Sequence, residues 1–420
     1  MDELRATIEA IFRRESGRII ASLIRVSRSF DLAEEAMQDA FAAALIHWKT
    51  NGLPDNPAAW ITAAAQRKLV DYARREQTRR AKEAQLRYEA SATHDSEPEA
   101  DMSCPSEDDR LRLIFTCCHP ALHREAQIAL TLRTLGGLTT SEIARAFLIP
   151  EPTLAQRLVR AQRKIQQARI PYQVPSAQAL PERLSAVQAV LYLIFNEGYI
   201  ASAGDSLLRR DLCTEAIRLT RTLCELMPGA PENLGLLALM LLHDSRRDTR
   251  VNGSGELVLL EEQDRALWNT VQMEEGWQLI ERALRLRAIG PYQLQAAIAA
   301  VHAEAGAAAD TDWKQIAALY QELARCHPSA TVALNHAVAV AMSEGLDQGL
   351  LLLDTIGASG VLDHYHLYHA ARADLLRRLS RKGEALAAYQ VALLLTANAV
   401  ERRYLHRRIE EIVVGQPEYC

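Results

Sequence analysis

The apolar residues between positions 138 and 148 recur at helical spacing and predict a short helix. They are Ile143, Ala144, Phe147 and Leu148. Thr140 or Ser141 stands just before them and is of the type that caps a helix N-terminus. Pro150 follows, and because the residue before a proline is pushed out of the helical region, the helix is expected to end there.

A second helix is predicted to begin around Pro152, since proline is tolerated in the first helical turn. Its buried stripe is Leu154, Leu158, Ala161 and Ile165. Its opposite face carries Thr153, Gln156, Arg157, Arg160, Arg163 and Lys164. No acidic residue occurs between Glu151 and Glu182, so the positive charge of this face is unopposed. A short helix, a sharp turn and a basic helix are typical of a DNA-binding helix-turn-helix, in which Gln and Arg read base edges and the other basic residues hold phosphates. The alternative is a solvated basic face on a packing helix.

Residues 1–85 are predicted to form an N-terminal helical domain. Asp31 is expected to cap a helix with the sequence DLAEEAMQDAFAAALIHW, whose acidic first turn suits the helix dipole. After a loop at 51–57, the sequence PAAWITAAAQRKLVDYARREQTRRAKEAQ predicts one long helix with Trp60 near its start. From Arg67 to Arg87 this helix carries eight Lys or Arg residues against three acidic residues, and is therefore a second basic surface.

Two segments are predicted to be linkers. Residues 86–109 are predicted to be a flexible acidic tether, because residues 91–109 include seven acidic residues and no Lys or Arg. The prolines of IPYQVPSAQALP mark a second linker at 170–181. Between them, residues 110–170 are expected to form a small domain that contains the helix-turn-helix.

Residues 182–420 are predicted to form an all-helical repeat domain. A spacing of four and then three residues recurs in three triples, Ile316/Tyr320/Leu323, Gly349/Leu353/Ile356 and Ala385/Tyr389/Ala392. The steps between triples are 33 and 36 residues, close to the period of a tetratricopeptide repeat. Such units stack because one helix pair cannot bury its apolar face alone. Residues 245–290 do not fit this period.

The composition excludes several functional classes. The formal net charge of −5 means that nucleic-acid binding must rest on local basic surfaces. The N-terminus lacks the apolar core of a signal peptide, and the longest apolar run, Leu234 to Leu242, is too short to span a membrane. We therefore expect a cytoplasmic protein that does not bind a membrane. No P-loop, nucleophile elbow or Gly-rich phosphate loop is present, so an enzyme is not expected.

Two clusters resemble metal sites, but a structural role is the simpler interpretation of each. Cys117 and Cys118 are adjacent, whereas zinc ligands are spaced two to four residues apart, so buried free thiols are expected. His366 and His369 share a helix face near His364, but we expect them to be structural. No metal or cofactor is expected.

Together, residues 4–170 resemble the extracytoplasmic-function sigma factors of bacterial RNA polymerase. The resemblance is carried by DLAEEAMQDAFAAAL, PAAWITAAAQRKLVDYARR and SEIARAFLIPEPTLAQRLVRAQRKI in this order. The remainder resembles the subgroup with a C-terminal tetratricopeptide-like extension, in which YLIFNEGY (192–199) and VLLEEQDRALW (258–268) look like signature segments. The resemblance implies an all-α fold: a sigma-2-like domain (1–85), a linker (86–109), a sigma-4-like domain (110–170) and the extension (182–420).

The resemblance also implies partners and site residues. Core RNA polymerase would be contacted at its β′ clamp and β flap, with the β′ clamp facing Asp31, Glu34, Glu35, Gln38 and Asp39. The melted -10 element would be bound by Trp60, Arg67, Lys68, Arg74 and Arg75. The -35 element would be read by Thr153, Gln156, Arg157 and Arg160, with Arg163 and Lys164 on phosphates. Trp60 as a core residue is an equally good interpretation.

Some features leave alternatives open. Pro152 and Ala155 stand where the family often has Gly and Lys, which weakens the assignment of contacts early in the helix. A helix-turn-helix regulator that acts without polymerase, with the repeat array as a sensor or scaffold, is the second functional hypothesis. For the array itself, contact with the sigma domains and recruitment of a peptide or protein partner are both compatible with the sequence.

Overall fold

The computed structural model describes residues 2–87, 107–147, 149–201 and 204–414. Within these ranges there are eighteen α-helices, and the only β-type pairings are isolated bridges at Gly204–Asn398 and Val251–Leu257. The predicted all-α fold class is therefore confirmed. The chain divides into two compact units, Met1–Val190 and Leu191–Cys420. None of the described helices is long and apolar enough to cross a lipid bilayer.

The first unit opens with three helices that pack on one another. They are α1 (Asp2–Ser27), α2 (Phe30–Asn51) and α3 (Pro57–Arg87). The apolar residues Ile19, Leu23 and Ile61 are fully buried between them. The long basic helix predicted after the loop is confirmed as the single 31-residue helix α3.

The N-terminal cap of α2 differs from the prediction. Ser29 is the cap, and its Oγ accepts a hydrogen bond from the backbone N–H of Leu32 at 3.3 Å. Asp31 lies two residues after the cap, in the first turn, and is exposed, where its charge still complements the helix dipole. A serine and an aspartate two residues apart are both good caps, and only the backbone conformation at Ser29, which is extended, decides between them.

The second half of this unit contains four helices and a short π-helical turn. They are α4 (Glu107–Cys117), α5 (Arg124–Leu130), the π turn Thr131–Leu135, α6 (Thr140–Ala146) and α7 (Glu151–Gln167). Since α4 begins at Glu107, the last three residues of the predicted acidic linker are helical, and Asp109 is only 1% exposed. Residues 88–106 of that linker lie outside the described residues.

Thr139, and not Thr140 or Ser141, caps α6. Its Oγ1 accepts from the backbone N–H of Glu142 at 3.1 Å, while the Glu142 carboxylate accepts from the backbone N–H of Thr139 at 2.7 Å. This reciprocal pair is a capping box. The helix ends at Ala146, so Phe147 follows it in a turn, and Leu148 lies outside the described residues.

The division between the units falls within α8 (Leu180–Tyr199), and the second unit continues with ten further helices. They are α9 (Arg210–Leu226), α10 (Pro231–Asp244), α11 (Thr270–Arg285), α12 (Pro291–Glu304), α13 (Trp313–Cys326), α14 (Ala330–Ser343), α15 (Leu346–Gly357), α16 (His366–Arg378), α17 (Lys382–Leu395) and α18 (Ala399–Val414).

The three repeated triples lie on alternate helices, α13, α15 and α17. Ile316, Leu353 and Tyr389, one from each triple, are at most 1% exposed. The region that does not fit the period, 245–290, is irregular as far as Asn269 and contains three 3-10 turns before α11 begins.

Candidate nucleic-acid interface

Helix α7 is held against α5 and α6 by one apolar stripe. The four predicted stripe residues, Leu154, Leu158, Ala161 and Ile165, are all buried. The backbone N–H of Ile149 donates to the carbonyl oxygen of Ala144 at 3.0 Å and closes the turn between the two helices. Packing on this stripe fixes the rotation of α7 about its axis, and therefore fixes which side chains face outward.

The outward face of α7 consists of the predicted DNA-contacting residues. Thr153, Gln156, Arg160, Arg163 and Lys164 are exposed, and Arg157 is half-buried. Within the described parts of the chain, no carboxylate forms an ion pair with any of the four basic side chains. Pro152 and Ala155 are exposed in the first two turns. The helix therefore presents four uncompensated positive charges to solvent.

Trp60 lies in an aromatic cluster where α2 ends and α3 begins. Its ring centroid is 5.3 Å from that of His47 and 5.4 Å from that of Trp48. Trp48 is buried, whereas Trp60 is half-buried. Trp60 thus packs against His47 and Trp48 and remains partly exposed, so both roles that the sequence left as alternatives stay open. No local sequence pattern marks Trp48 as the residue that supports Trp60.

The basic residues of α3 have different environments. Arg67 and Arg74 are exposed, whereas the side chain of Arg75 lies outside the described residues. Lys68 is half-buried, and its Nζ lies 3.5 Å from Oδ2 of Asp39 on α2. This ion pair joins one residue of the predicted -10 site to one of the predicted polymerase site.

Tyr72 is a further partner of Asp39 that the sequence analysis missed. Its hydroxyl donates to Oδ2 of Asp39 at 2.9 Å. Burial, with the hydrogen bond and charge of Asp39 as additional causes, raises the pKa of Tyr72 to about 12. Asp39 is therefore fixed between α2 and α3, and its carboxylate is partly used within the fold.

The remaining acidic residues of α2 differ in their exposure. Asp31, Glu35 and Gln38 are exposed, whereas Glu34 is half-buried. Nε of Arg133 donates to Oε1 of Glu34 at 2.9 Å, and Nη2 of the same guanidinium contacts the same oxygen. Arg133 belongs to the π turn that precedes the helix-turn-helix. One carboxylate of the predicted polymerase-binding face is thus occupied by the second half of the same unit.

A second set of contacts joins α1 to the beginning of α4. Oδ2 of Asp109 accepts from Nε of Arg25 at 3.1 Å, and its Oδ1 accepts from Arg112 at 3.2 Å. The hydroxyl of Tyr172 lies 2.8 Å from the carbonyl oxygen of Ala21 and 3.0 Å from that of Asp109. Burial and the charge of Asp109 raise the pKa of Tyr172. Both Asp109 and Tyr172 fall in segments that the sequence predicted to be linkers.

The two adjacent cysteines are buried and contact threonine side chains. Cys117 and Cys118 are buried, with Sγ atoms 3.2 Å from Thr134 Oγ1 and 3.5 Å from Thr131 Oγ1. Burial raises the pKa of both thiols, that of Cys118 to about 11. In the described ranges, no group of three or more His, Cys, Asp or Glu side chains is arranged to hold a metal ion.

The histidines near the start of α16 also contact protein groups. Nε2 of His369 lies 2.9 Å from the carbonyl oxygen of Asp363, and Nε2 of His366 lies 3.4 Å from a carboxylate oxygen of Glu401. The two rings therefore face different partners.

Three segments of the chain match known protein families. Residues 11–79 match Sigma-70 region 2, which covers most of α1–α3, and residues 112–165 match Sigma-70, region 4, which ends within α7. Residues 183–284 match a family of unknown function, DUF6596. The tetratricopeptide likeness of the second unit remains a prediction, because the description of this family names no such repeat.

A relative resembles the chain over nearly its whole length. The uncharacterized protein R00370 of Rhizobium meliloti (strain 1021) is 42% identical over 398 residues, which is 94% of this chain and 93% of that protein. Sigma-70 regions 2 and 4 occur in one chain in the order expected of a factor that binds RNA polymerase for promoter recognition. The chain belongs to the same family as this rhizobial protein, and its Sigma-70 region 2 and region 4 segments support a sigma factor of the sigma-70 type.

Proposed function

We propose that this protein is an alternative sigma factor of the extracytoplasmic-function type, which directs core RNA polymerase to a promoter read at two separate elements. The observation that carries the proposal is the outward face of α7, where four basic side chains and Gln156 project from a helix fixed by its apolar stripe. A basic recognition helix suits the major groove, since Arg and Gln form bidentate hydrogen bonds with base edges.

On this proposal, α7 reads the -35 element. Thr153, Gln156, Arg157 and Arg160 contact base edges, while Arg163 and Lys164 near the end of the helix hold phosphates. Pro152 offers no N–H and no polar side chain in the first turn, so base reading shifts toward the middle of the helix.

The α2–α3 surface binds the melted -10 element. The open part of the Trp60 ring provides a stacking platform for an unpaired base, and exposed Arg67 and Arg74 hold the backbone beside it. Arg75 is proposed for the same role from its sequence position. Lys68 contributes less than expected from the sequence, because its charge is shared with Asp39.

Core polymerase is contacted by the acidic face of α2, at the β′ clamp, and by the helix-turn-helix domain, at the β flap. Asp31, Glu35 and Gln38 are exposed and available for this contact, while Asp39 supports the surface from within the fold. Glu34 takes part only when Arg133 releases it. Polymerase binding and the internal contact of the first unit therefore compete for one carboxylate.

The second unit acts as a regulator or as a recruiting surface. One assay separates its role from promoter reading: run-off transcription with purified core polymerase, with and without residues 182–420. Higher output from the shortened chain supports an inhibitory contact with the sigma domains, and lower output supports recruitment or a role in holding polymerase.

The experiment that tests the main proposal uses the full chain and a charge-reversed α7. The variant Arg160→Glu/Arg163→Glu reverses two exposed positive charges, and Arg282→Glu/Arg285→Glu, on two exposed arginines of α11, is the matched control. Run-off transcription should be lost in the first variant and retained in the control. If the wild-type chain binds duplex DNA tightly alone and never supports initiation by core polymerase, the protein is a regulator that acts without polymerase.

A further inference from the structure

The second unit contains a cavity of about 520 Å³ that the promoter-reading role does not use. Its wall is formed by the irregular segment 258–268 on one side and by residues of α12, α13, α14 and α16 on the other. Its volume lies within the range typical of small-molecule sites, which is roughly 300–1,000 Å³.

Segment 258–268, which interrupts the repeat period, is held in place by two arginines. Nη2 of Arg378 on α16 lies 2.9 Å from both carboxylate oxygens of Glu261. Nη1 of Arg265 donates to the carbonyl oxygens of His302 and Ala305, at the end of α12, the second at 2.7 Å. An insertion fixed at both ends across neighbouring helices makes a defined wall for the cavity.

Most of the cavity wall is apolar. Leu259 and Leu260 line it from the inserted segment, and Met342 and Leu375 line it from α14 and α16. Trp313 at the start of α13 adds an aromatic ring, whose centroid is 5.2 Å from the ring of His302 in an edge-on arrangement. Such a wall favours a ligand with a hydrocarbon or aromatic body.

Arg265 supplies positive charge to one part of this wall. Its Nη1 is occupied by the two backbone carbonyls, whereas Nη2 has only Thr311 Oγ1 at 3.4 Å and Nε is buried with no hydrogen-bond partner. No carboxylate in the described residues forms an ion pair with it. Arg378, by contrast, is paired with both Asp374 and Glu261. Because Nε is buried, Nη2 is the nitrogen of Arg265 that remains for a hydrogen bond to a ligand's carboxylate.

His302 adds a polar group without adding charge. Its Nδ1 is buried with no hydrogen-bond partner. Burial, with the charges of Arg246 and Arg265 as further causes, lowers the pKa of His302 to about 4, so its imidazole is neutral at pH 7. His302 therefore lines the cavity as a neutral, partly apolar ring.

We propose that this cavity binds a small organic anion: Arg265 holds the carboxylate, and Trp313, Met342 and Leu375 enclose an apolar body. The positive charge of Arg265 favours an anion at this point of the wall. Within the described residues, the other charged groups of the wall are paired: Glu261 and Asp374 both form ion pairs with Arg378. The site belongs to the second unit alone and does not depend on the promoter-reading proposal.

The test is isothermal titration of the full chain at pH 7 with 2-naphthoate and with its neutral isostere 2-naphthamide as probes. Naphthoate is expected to bind at least tenfold more tightly, because charge-assisted hydrogen bonds are about twice as strong as neutral ones. Equal binding of the two probes, or no binding of naphthoate at millimolar concentration, would overturn the proposal.

Three variants locate the site. Arg265→Lys keeps the charge but removes the planar fork, and should weaken naphthoate binding at least tenfold. Ala371→Phe fills the cavity from α16 and leaves Arg265 itself unsubstituted, and should abolish binding while circular dichroism and the melting temperature stay close to wild type. Arg285→Lys, on an exposed arginine of α11, should bind as wild type does. Arg265 also caps α12, so Arg265→Lys could unfold the protein. In that event Ala371→Phe is the decisive variant, and naphthoate binding retained by Ala371→Phe contradicts the proposal.

Discussion

Arg133 and Glu34, 99 residues apart in sequence, form an ion pair that joins the turn before the helix-turn-helix to helix α2. Both side chains are about one-fifth exposed, so the pair is partly shielded from water. Together with the buried carboxylate of Asp109 and the hydroxyl of Tyr172, it holds the region 2 and region 4 segments in one compact unit. The sequence alone predicts these segments to be separate domains on a flexible tether.

We expect Arg133→Ala to raise the affinity of the full chain for core polymerase by roughly three- to tenfold, which corresponds to a coupling energy of about 1 kcal/mol for one partly buried contact. The reason is that polymerase would no longer have to displace Arg133 from Glu34. The measurement is a fluorescence-anisotropy titration with core enzyme. Arg124→Ala, on an exposed arginine of the neighbouring α5, is the control and should leave affinity unchanged. Unchanged or weaker binding by Arg133→Ala would show that Glu34 is not part of the polymerase contact.

Helix α7 should contain two distinguishable kinds of DNA contact. Arg163→Ala is expected to reduce the slope of log affinity against log salt by about 0.9, as for loss of one phosphate contact, without changing the preferred promoter sequence. Gln156→Ala should instead cost about 1–3 kcal/mol at a single base pair and leave the salt slope unchanged. Both are measured by titrating holoenzyme on promoter variants at several KCl concentrations. Gln166→Ala, exposed near the end of α7, serves as the control, and a uniform loss in all three variants would refute the assignment.

Two glycines of the second unit should respond in opposite directions to alanine. A Cβ at Gly349 on α15 would lie 2.3 Å from the Cβ of Ala341 and 2.7 Å from the carbonyl oxygen of Ala337, both on α14. Gly349→Ala should therefore destabilise the protein by about 1–3 kcal/mol through overpacking. At Gly383 in the first turn of α17 nothing lies within 4 Å, so Gly383→Ala should stabilise by about 0.5–1 kcal/mol. Urea denaturation followed by circular dichroism measures both, and equal effects would contradict the close approach of α14 and α15.

The buried thiols predict a stability that falls at alkaline pH. An unfolded cysteine loses its proton near pH 8.5, whereas burial keeps Cys118 protonated up to a pKa of about 11. Between these values the folded state binds the extra proton, so the stability of the folded state decreases as pH rises through this window. Denaturation midpoints at pH 8 and pH 10 should differ less in Cys118→Ala than in wild type. Cys326→Ala, which removes an exposed thiol, is the control, and an equal pH effect in wild type and Cys118→Ala would contradict this account.

The orientation of α7 could be predicted from sequence because it depends on local periodicity. The stripe from Leu154 to Ile165 has helical spacing, and burial of that stripe leaves Arg160 and Arg163 on the other side. The same reasoning predicted α3 as one helix and placed the repeated triples on equivalent helices. These features need only the sequence pattern and one apolar surface to pack on.

The helix caps could not be predicted to the residue. Thr139, Thr140 and Ser141 are all suitable caps, and the choice of Thr139 depends on the carboxylate of Glu142 turning back to its backbone N–H. The roles of Asp39 and Lys68 were hidden for a similar reason. Each residue type suits an outside partner, and only the packing of α2 on α3 brings the two charges together.

The amino-acid pattern was sufficient to predict the all-helical fold and the basic outward face of α7, because both follow from the spacing of apolar residues and from the uneven distribution of charge. The two sigma-70 segments were predicted from the resemblance of their motifs to a known family. Only the tertiary structure decided that Glu34 is held by Arg133, that Asp109 is buried inside an apparent linker, and that segment 258–268 closes a cavity beside Arg265. Contacts between residues far apart in sequence depend on how helices pack, and that packing cannot be inferred from a local sequence pattern.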